Sequence, residues 1–253
     1  MSRFTRILCA ALVAVVFANG NYIQKSAVIM KEPSTNKEIN SIDKLQQRNS
    51  LKVSSNAVQI REWRGPAAVL GGALVHLTLG TLYCWGNFIS YSPLSLRYFD
   101  GSLERKGQPE SLFVIPFTLI AQALAMPFGP ALTKAIGAPA TMLLGSWITA
   151  LGVYLASFQT KLLPFLLFYS LIFGTGVGLS YTAPMIAGWK WMPDNRGLVS
   201  GGILTGFGVG GFIFSLLGSK IVNPQGLNMV EGRFPDEVYN NFPKMLRTLS
   251  GYS

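Results

Sequence analysis

The sequence has 253 residues, of which 49% are hydrophobic and only 13% are charged. An average soluble domain is nearer to about 25% charged, so this composition argues against a soluble protein and indicates a membrane polypeptide. The balance is basic, with 21 Lys and Arg against 11 Asp and Glu. A single histidine and the lack of clustered Cys, His or carboxylates exclude a zinc site. Hydrolase, nucleotide-loop and metalloprotease patterns are absent, and we expect neither an enzyme nor a cofactor.

Residues 1–20 are predicted to form a cleaved signal peptide. Two arginines precede an apolar run from Ile7 to Phe17. That run is shorter than the about 20 residues that a membrane-crossing helix needs. Ala18 and Gly20 supply the small residues that precede a cut after position 20. An uncleaved signal anchor is the alternative.

Residues 21–66 are polar and basic, with apolar residues scattered without a period. Too little apolar surface is available to offset the entropy of ordering, so this segment is predicted to be disordered. Solvated charge beside the first membrane span would explain its basic spots equally well. These spots consist of Arg48, Leu51 and Lys52 and, further along, Arg61, Glu62 and Arg64.

A signal peptide, a basic stretch and these two spots follow one another in the order that is typical of oomycete RxLR effectors, and the first 65 residues resemble such a leader. Those proteins are secreted by plant pathogens and act inside host cells. The sequence departs from the strict motifs, because Leu51 comes one residue late and Lys52 stands where the second Arg is usual. In the second spot, Glu62 stands alone where the family motif has two adjacent glutamates.

From residue 67 the composition becomes strongly apolar, and residues 67–223 are predicted to be a transmembrane region followed by a polar tail, 224–253. Each apolar run has about the length that a spanning helix needs. A backbone in lipid must satisfy its own hydrogen bonds, so an all-α membrane protein with about five transmembrane helices is expected. The predicted spans are Ala67–Leu96, Leu112–Thr133, Ala140–Phe158, Leu162–Trp189 and Gly197–Ser219.

The fifth predicted span is rich in glycine, and several of its glycines lie four residues apart. Gly174 and Gly178 repeat this spacing in the fourth span. Faces of small residues let helix backbones approach closely in lipid. A phosphate-binding loop is rejected, because the glycines lie within an apolar run that no strand precedes.

Three motifs give the apolar region a resemblance to the N-terminal six-helix half of a major facilitator superfamily transporter. Gly80–Gly86 is similar to the Gly-x-x-Tyr-x-Trp motif of the oxalate/formate antiporter and monocarboxylate-transporter-like branch. One loop is similar to a loop motif of the family, although Thr133 replaces its acidic residue, and a second loop is similar to a motif of the same branch. The matching residues are Gly129, Lys134 and Gly137 in the first loop and Trp191, Pro193, Asp194, Arg196 and Gly197 in the second.

The resemblance implies a substrate site at the midplane, between two helical halves. It also implies that the cationic residues binding a carboxylate lie in a second half, which these 253 residues do not include. No Lys, Arg, Asp or Glu occurs in the predicted spans. His76 is therefore the ionisable candidate for a pathway, with Tyr83, Trp85 and Asn87 further along the same helix. The competing interpretation is a packing histidine that is bonded to a neighbouring carbonyl.

Two functions are weighed against each other. A secreted effector that suppresses host immune cell death at a host membrane explains the leader and the missing half, and we favour it here. The alternative is a major facilitator transporter, or an inactive fragment of one, in the membrane of the producing cell and specific for a small monocarboxylate or oxalate-type anion. The expected partners are the lipid bilayer and a host membrane protein, homo-oligomerisation stays open, and nothing points to nucleic acid.

Overall fold

The computed structural model describes residues 64–101, 108–230 and 232–251. The predicted signal peptide and all but the last three residues of the predicted disordered segment lie outside these ranges. The helices are α1 (Arg64–Tyr91), α2 (Glu110–Ala125), α3 (Phe128–Ile136), α4 (Ala138–Ala156), α5 (Leu162–Trp191), α6 (Pro193–Val222) and α7 (Asp236–Ser250).

The helices α1, α4, α5 and α6 are each long and apolar enough to cross a membrane. The helices α2 and α3 pass the same test as a pair that is bent by 48°. The prediction of an all-α membrane protein with about five spans is therefore confirmed, with the second span bent. Its bend falls at Pro127, which has no backbone N–H to continue the helical hydrogen bonds.

Successive spans run in opposite directions through the bundle. The guanidinium carbon of Arg64, at the start of α1, lies 5.2 Å from the ring centroid of Trp191, at the end of α5. We call this end of the bundle the Arg64 end. The opposite end holds the end of α1, where an extended Ser92 precedes Pro93 and stops the helix.

Glycines let α6 pack directly against α1. A Cβ atom on Gly206 would collide with the backbone of Ala73, and one on Gly210 would collide with the backbone of Leu77. The predicted small-residue faces thus lie between helices of this chain. In the same way, Gly174 and Gly178 of α5 face the backbone of α2 at Thr118 and Gln122.

Helix α7 packs against the end of the bundle that is opposite Arg64. Phe242 and Met245 are buried, and the Met245 sulfur approaches Gly218 of α6. The Arg247 guanidinium lies 4.6 Å from the ring centroid of Phe158, just after α4. The segment predicted to be a polar tail contains an amphipathic helix whose apolar face completes the core.

Candidate functional site

Most of the effector-like motif lies outside the described residues, namely Arg48, Leu51, Lys52, Arg61 and Glu62. Arg64 is described, and it stacks on Trp191 as a cation over an aromatic ring. Arg64 therefore lies in the first membrane helix, although it was predicted to belong to the disordered segment.

The first transporter-like loop forms α3 and the turn into α4. Gly129 is buried, and a Cβ atom there would lie 2.7 Å from the Leu179 carbonyl oxygen of α5. Gly137 has a φ of +87°, which ends α3 and starts α4 in a conformation that favours glycine. Lys134 is exposed in the last turn of α3, where a cation interacts favourably with the helix dipole.

The second transporter-like loop joins α5 to α6 at the Arg64 end. Pro193 and Asp194 form the first turn of α6, a position that suits proline and an acidic side chain. The backbone carbonyl of Arg196 accepts a hydrogen bond of 3.2 Å from Nε1 of Trp189. Gly197 faces open space. Together with the Arg64–Trp191 contact, these features fix how α5 turns into α6.

Trp85 is 1% exposed and belongs to the core. Its Nε1 donates a hydrogen bond of 2.9 Å to the Ser111 carbonyl. Its ring lies 5.3 Å from that of Phe165 and 5.2 Å from that of Tyr169, measured between centroids. The structure therefore gives Trp85 a packing role that joins α1, α2 and α5, and it separates Trp85 from the other three pathway candidates.

Tyr83 and Asn87 lie on the outside of the bundle, beside α6. Tyr83 is 58% exposed and its ring packs edge-on against Phe207 at 5.2 Å. The side-chain amide of Asn87 donates to the Ser219 hydroxyl at 2.9 Å, and to the carbonyl of Ser215 at 3.4 Å. Polar groups of α1 and α6 thus meet on the surface of two membrane spans.

His76 is completely buried. Its Nδ1 lies 3.2 Å from the carbonyl oxygen of Gly72, one turn earlier in α1. Its ring centroid lies 5.1 Å from that of Tyr181 in α5 and 6.0 Å from that of Phe207 in α6. The packing interpretation accounts for Nδ1, and the backbone of Tyr181 is a second hydrogen-bonding neighbour of the ring, although Nε2 has no partner in good geometry among the described residues.

The outer surface of α6 divides into two strips. Four successive positions on one helical face are the small or polar residues Gly197, Gly201, Thr205 and Gly208; the exposed Phe212 follows on the same face and separates them from Ser219 beside Asn87. The three glycines face open space. We call this face the polar strip. The neighbouring aliphatic strip exposes Leu198, Val209, Ile213, Leu216 and Leu217.

Sequence analysis missed Tyr181, Phe207 and the polar strip. The spacing of the strip residues was visible, but only the packed structure shows which α6 glycines already contact α1. Within the described residues, no group of three His, Cys, Asp or Glu side chains could hold a metal ion.

The fold and its surfaces define an integral membrane protein with the helical layout of a half-transporter, and comparisons with known proteins agree. The chain is 32% identical to apicoplast pyruvate carrier 1 of Toxoplasma gondii in an alignment of 216 positions that covers 71% of the chain and 39% of the carrier. It is 28% identical to monocarboxylate transporter 9 of Pongo abelii over 166 residues, 65% of the chain and 32% of the transporter. It is 31% identical to the MFS-type transporter opdF of Penicillium oxalicum over 108 residues, 43% of the chain and 24% of that protein.

These relatives are MFS-type, monocarboxylate-transporter-like proteins, named as carriers and transporters and not as enzymes. The chain matches about two fifths of the length of the pyruvate carrier, and less of the other two. No protein-family profile matches the chain. No solved structure matches it either.

The effector hypothesis is wrong. The similarity to a pyruvate carrier and to other transporters covers most of the chain and supports a membrane transporter instead. Nothing in the comparisons supports an RxLR leader, secretion or a host partner. The sequence argument gave too much weight to the order of short degenerate motifs in a polar segment, where basic residues recur for simple reasons of solubility.

Proposed function

We propose that the chain forms a helical bundle of a secondary transporter for small monocarboxylates such as pyruvate. The observation that carries this proposal is the similarity to the pyruvate carrier, which covers 71% of the chain. The all-α fold of four or five candidate membrane spans supports it, because it agrees with the helical half of such a transporter.

The polar strip supports a role for the bundle in pairing with a second bundle. Lipid cannot hydrogen-bond to the polar groups of Asn87 and Ser219, and it gains little contact with bare glycine. Asn87 and Ser219 bond to each other, whereas the exposed glycines of the strip offer a surface against which another helix could pack closely. Transporters of this kind alternate access by moving two bundles against each other around a midplane site. In a preparation of this chain, we propose that a second copy supplies the second bundle.

Counterflow of labelled pyruvate into proteoliposomes that contain the purified chain tests this function. We expect saturable counterflow that unlabelled pyruvate inhibits. Vesicles with correctly inserted protein but with counterflow equal to that of empty vesicles would contradict the proposal.

A matched pair of variants tests the pairing face. Gly208→Leu fills the polar strip and should abolish both counterflow and a dimer detected by chemical cross-linking of the purified chain. Val209→Leu enlarges a neighbouring side chain on the aliphatic strip and should change neither. Equal effects of the two substitutions would show that the polar strip has no special role.

A further inference from the structure

The charged residues of α7 are separated by sign along the helix. Asp236 and Glu237 lie in its first turn, whereas Lys244 and Arg247 lie in its second half. About 15 Å of helix separate Glu237 from Arg247, at a rise of about 1.5 Å per residue. Residues 238–250 contain no Asp or Glu. The two cations therefore have no acidic neighbour on their own helix.

Contacts with α6 show how deep each half of α7 lies. The side-chain amide of Asn241 donates a hydrogen bond of 3.3 Å to the carbonyl of Val222, the last residue of α6. The Met245 sulfur approaches Gly218, one turn earlier in α6. A step forward along α7 is therefore a step back along α6, toward the interior of the bundle. The acidic start of α7 is its outermost part, and the two cations lie nearer to the level where the spans end.

Arg247 meets the turn that joins α4 to α5. Its Nε donates a hydrogen bond of 3.3 Å to the Ser157 hydroxyl, and its guanidinium stacks on the ring of Phe158. This bond uses one of five N–H donors. Lys161 is exposed and comes three residues after Phe158, so their Cα atoms lie within about 11 Å of each other. Lys244 is a helical neighbour of Arg247. We call Lys161, Lys244 and Arg247 the basic cluster.

The spans beside the basic cluster bring no carboxylate to it. Helices α4 and α5 contain no Asp or Glu, and α6 contains only Asp194, which lies at the Arg64 end. The connection between α1 and α2 contacts α7 more than one turn before the cluster, where Arg97 donates to the Tyr239 hydroxyl at 3.3 Å. At the end of that connection, Glu110 accepts a hydrogen bond of 2.8 Å from the N–H of Phe99. The positive charge of the cluster is thus available to an outside anion.

Exposed apolar surface adjoins the basic cluster at the start of α5. Phe158 is 51% exposed, Leu163 is 59% exposed and Leu167 is 48% exposed. Leu163 and Leu167 are four residues apart and share one face of α5. A lipid has the same order of chemistry, with a charged headgroup at the end of a span and acyl chains along it. A soluble anion would match only the cations.

We propose that the basic cluster binds the phosphate of an anionic lipid whose acyl chains lie along Leu163 and Leu167. The free N–H groups of Arg247 donate to the phosphate oxygens, and Lys161 and Lys244 each add a compact positive charge. The bound headgroup links the second half of α7 to the turn between α4 and α5. This proposal concerns the lipid partner of the bundle and does not depend on which substrate the protein carries.

Native mass spectrometry of the full chain in mixed micelles measures the affinity for each lipid. Phosphatidylglycerol, which carries a net negative charge, should bind more tightly than phosphatidylcholine, whose phosphate is balanced by its own choline. Glycerol 3-phosphate offers the same phosphate without acyl chains, and it should not displace the lipid at equal concentration. A phosphatidylglycerol with a photoreactive group at the top of its acyl chain should cross-link to peptides within residues 157–167.

Substitutions distinguish the charge of the cluster from its packing. Lys161→Gln and Lys244→Gln change exposed side chains, and each should weaken phosphatidylglycerol binding about fivefold, as expected for one cation at a membrane surface. Arg247→Lys keeps the charge and loses the stacking on Phe158, so it should bind the lipid better than Arg247→Gln does. Lys220→Gln, at the exposed end of α6, is the matched control and should leave the affinity unchanged.

Three results would overturn the proposal. The first is equal affinity for phosphatidylglycerol and phosphatidylcholine. The second is an effect of Lys220→Gln as large as those of Lys161→Gln and Lys244→Gln, which would indicate a general charge effect. The third is displacement of the lipid by glycerol 3-phosphate at equal concentration, which would assign the cluster to a soluble anion.

Discussion

The outer surfaces of α4 and α6 differ, although both helices are long enough to cross the membrane. The exposed side chains of α4 are large and apolar, and they include Leu144 and Trp147. The exposed surface of α6 places an aliphatic strip beside a face whose first half holds only glycine and threonine, before Phe212 and then Ser219. A lipid chain can cover the α4 surface as well as another protein could. The comparison teaches that in a membrane protein a small, polar outer face, and not an apolar one, indicates a missing neighbour.

The largest expected difference in stability is between alanine substitutions of a buried and an exposed tryptophan. Trp85→Ala should lower the free energy of unfolding by about 3–5 kcal/mol, because it leaves a cavity among buried aromatic rings and removes a hydrogen bond. Trp147→Ala on the outside of α4 should change it by no more than about 0.5 kcal/mol. Denaturant titration in mixed micelles measures both values. Similar losses for the two variants would mean that the outside of α4 is not simply a lipid-facing surface.

The same glycine-to-alanine substitution can be compared on the inner and the outer face of α6. Gly210→Ala should destabilise the bundle by about 1–3 kcal/mol, because the new methyl group collides with the backbone of α1. Gly208 faces open space, so Gly208→Ala should either leave the free energy of unfolding unchanged or raise it slightly. The same titration compares them. The packing of α6 on α1 would be wrong if Gly210→Ala were tolerated as well as Gly208→Ala.

The smallest expected effect concerns the edge of the polar strip. Asn87→Leu removes the hydrogen bond between α1 and Ser219, and interhelical bonds of this kind contribute about 0.6 kcal/mol on average. Thr205→Val serves as the control, because the Thr205 hydroxyl bonds to Gly201 of its own helix. Only Asn87→Leu should weaken the contact between α1 and α6, as detected by cysteine cross-linking across it. No difference between the two variants would count against a structural role for Asn87.

Much of the fold could be predicted from the apolar runs, whereas the amphipathic helix α7 was missed. Its charged residues and an internal Pro243 conceal the periodicity of Phe242 and Met245. The π-helical turn at Leu167–Ile172 in α5 was not predicted either. Such a turn depends on contacts with other helices, here including the Ser170 hydroxyl, which bonds to Val114 of α2.

The candidate site was predicted only in part. His76 is conspicuous in the sequence because a titratable residue in an apolar span is rare. Trp85 was grouped with it because both lie on one helix, yet its indole points into the aromatic core. Which face of α1 is inside depends on α2, α5 and α6, whose positions follow from contacts between residues far apart in the chain.

The sequence by itself determined that this is an all-α membrane protein, because apolar runs of this length in lipid can satisfy their backbone hydrogen bonds only as helices. It also determined that helices pack closely along glycine-rich faces. Only the tertiary structure decided that Gly206 and Gly210 are covered by α1 whereas Gly208 is open. It likewise decided that His76 is buried behind Tyr181. The physical reason is that the repeat of a helix determines which residues share a face but not which other helix that face contacts. The role of each face therefore depends on what packs against it.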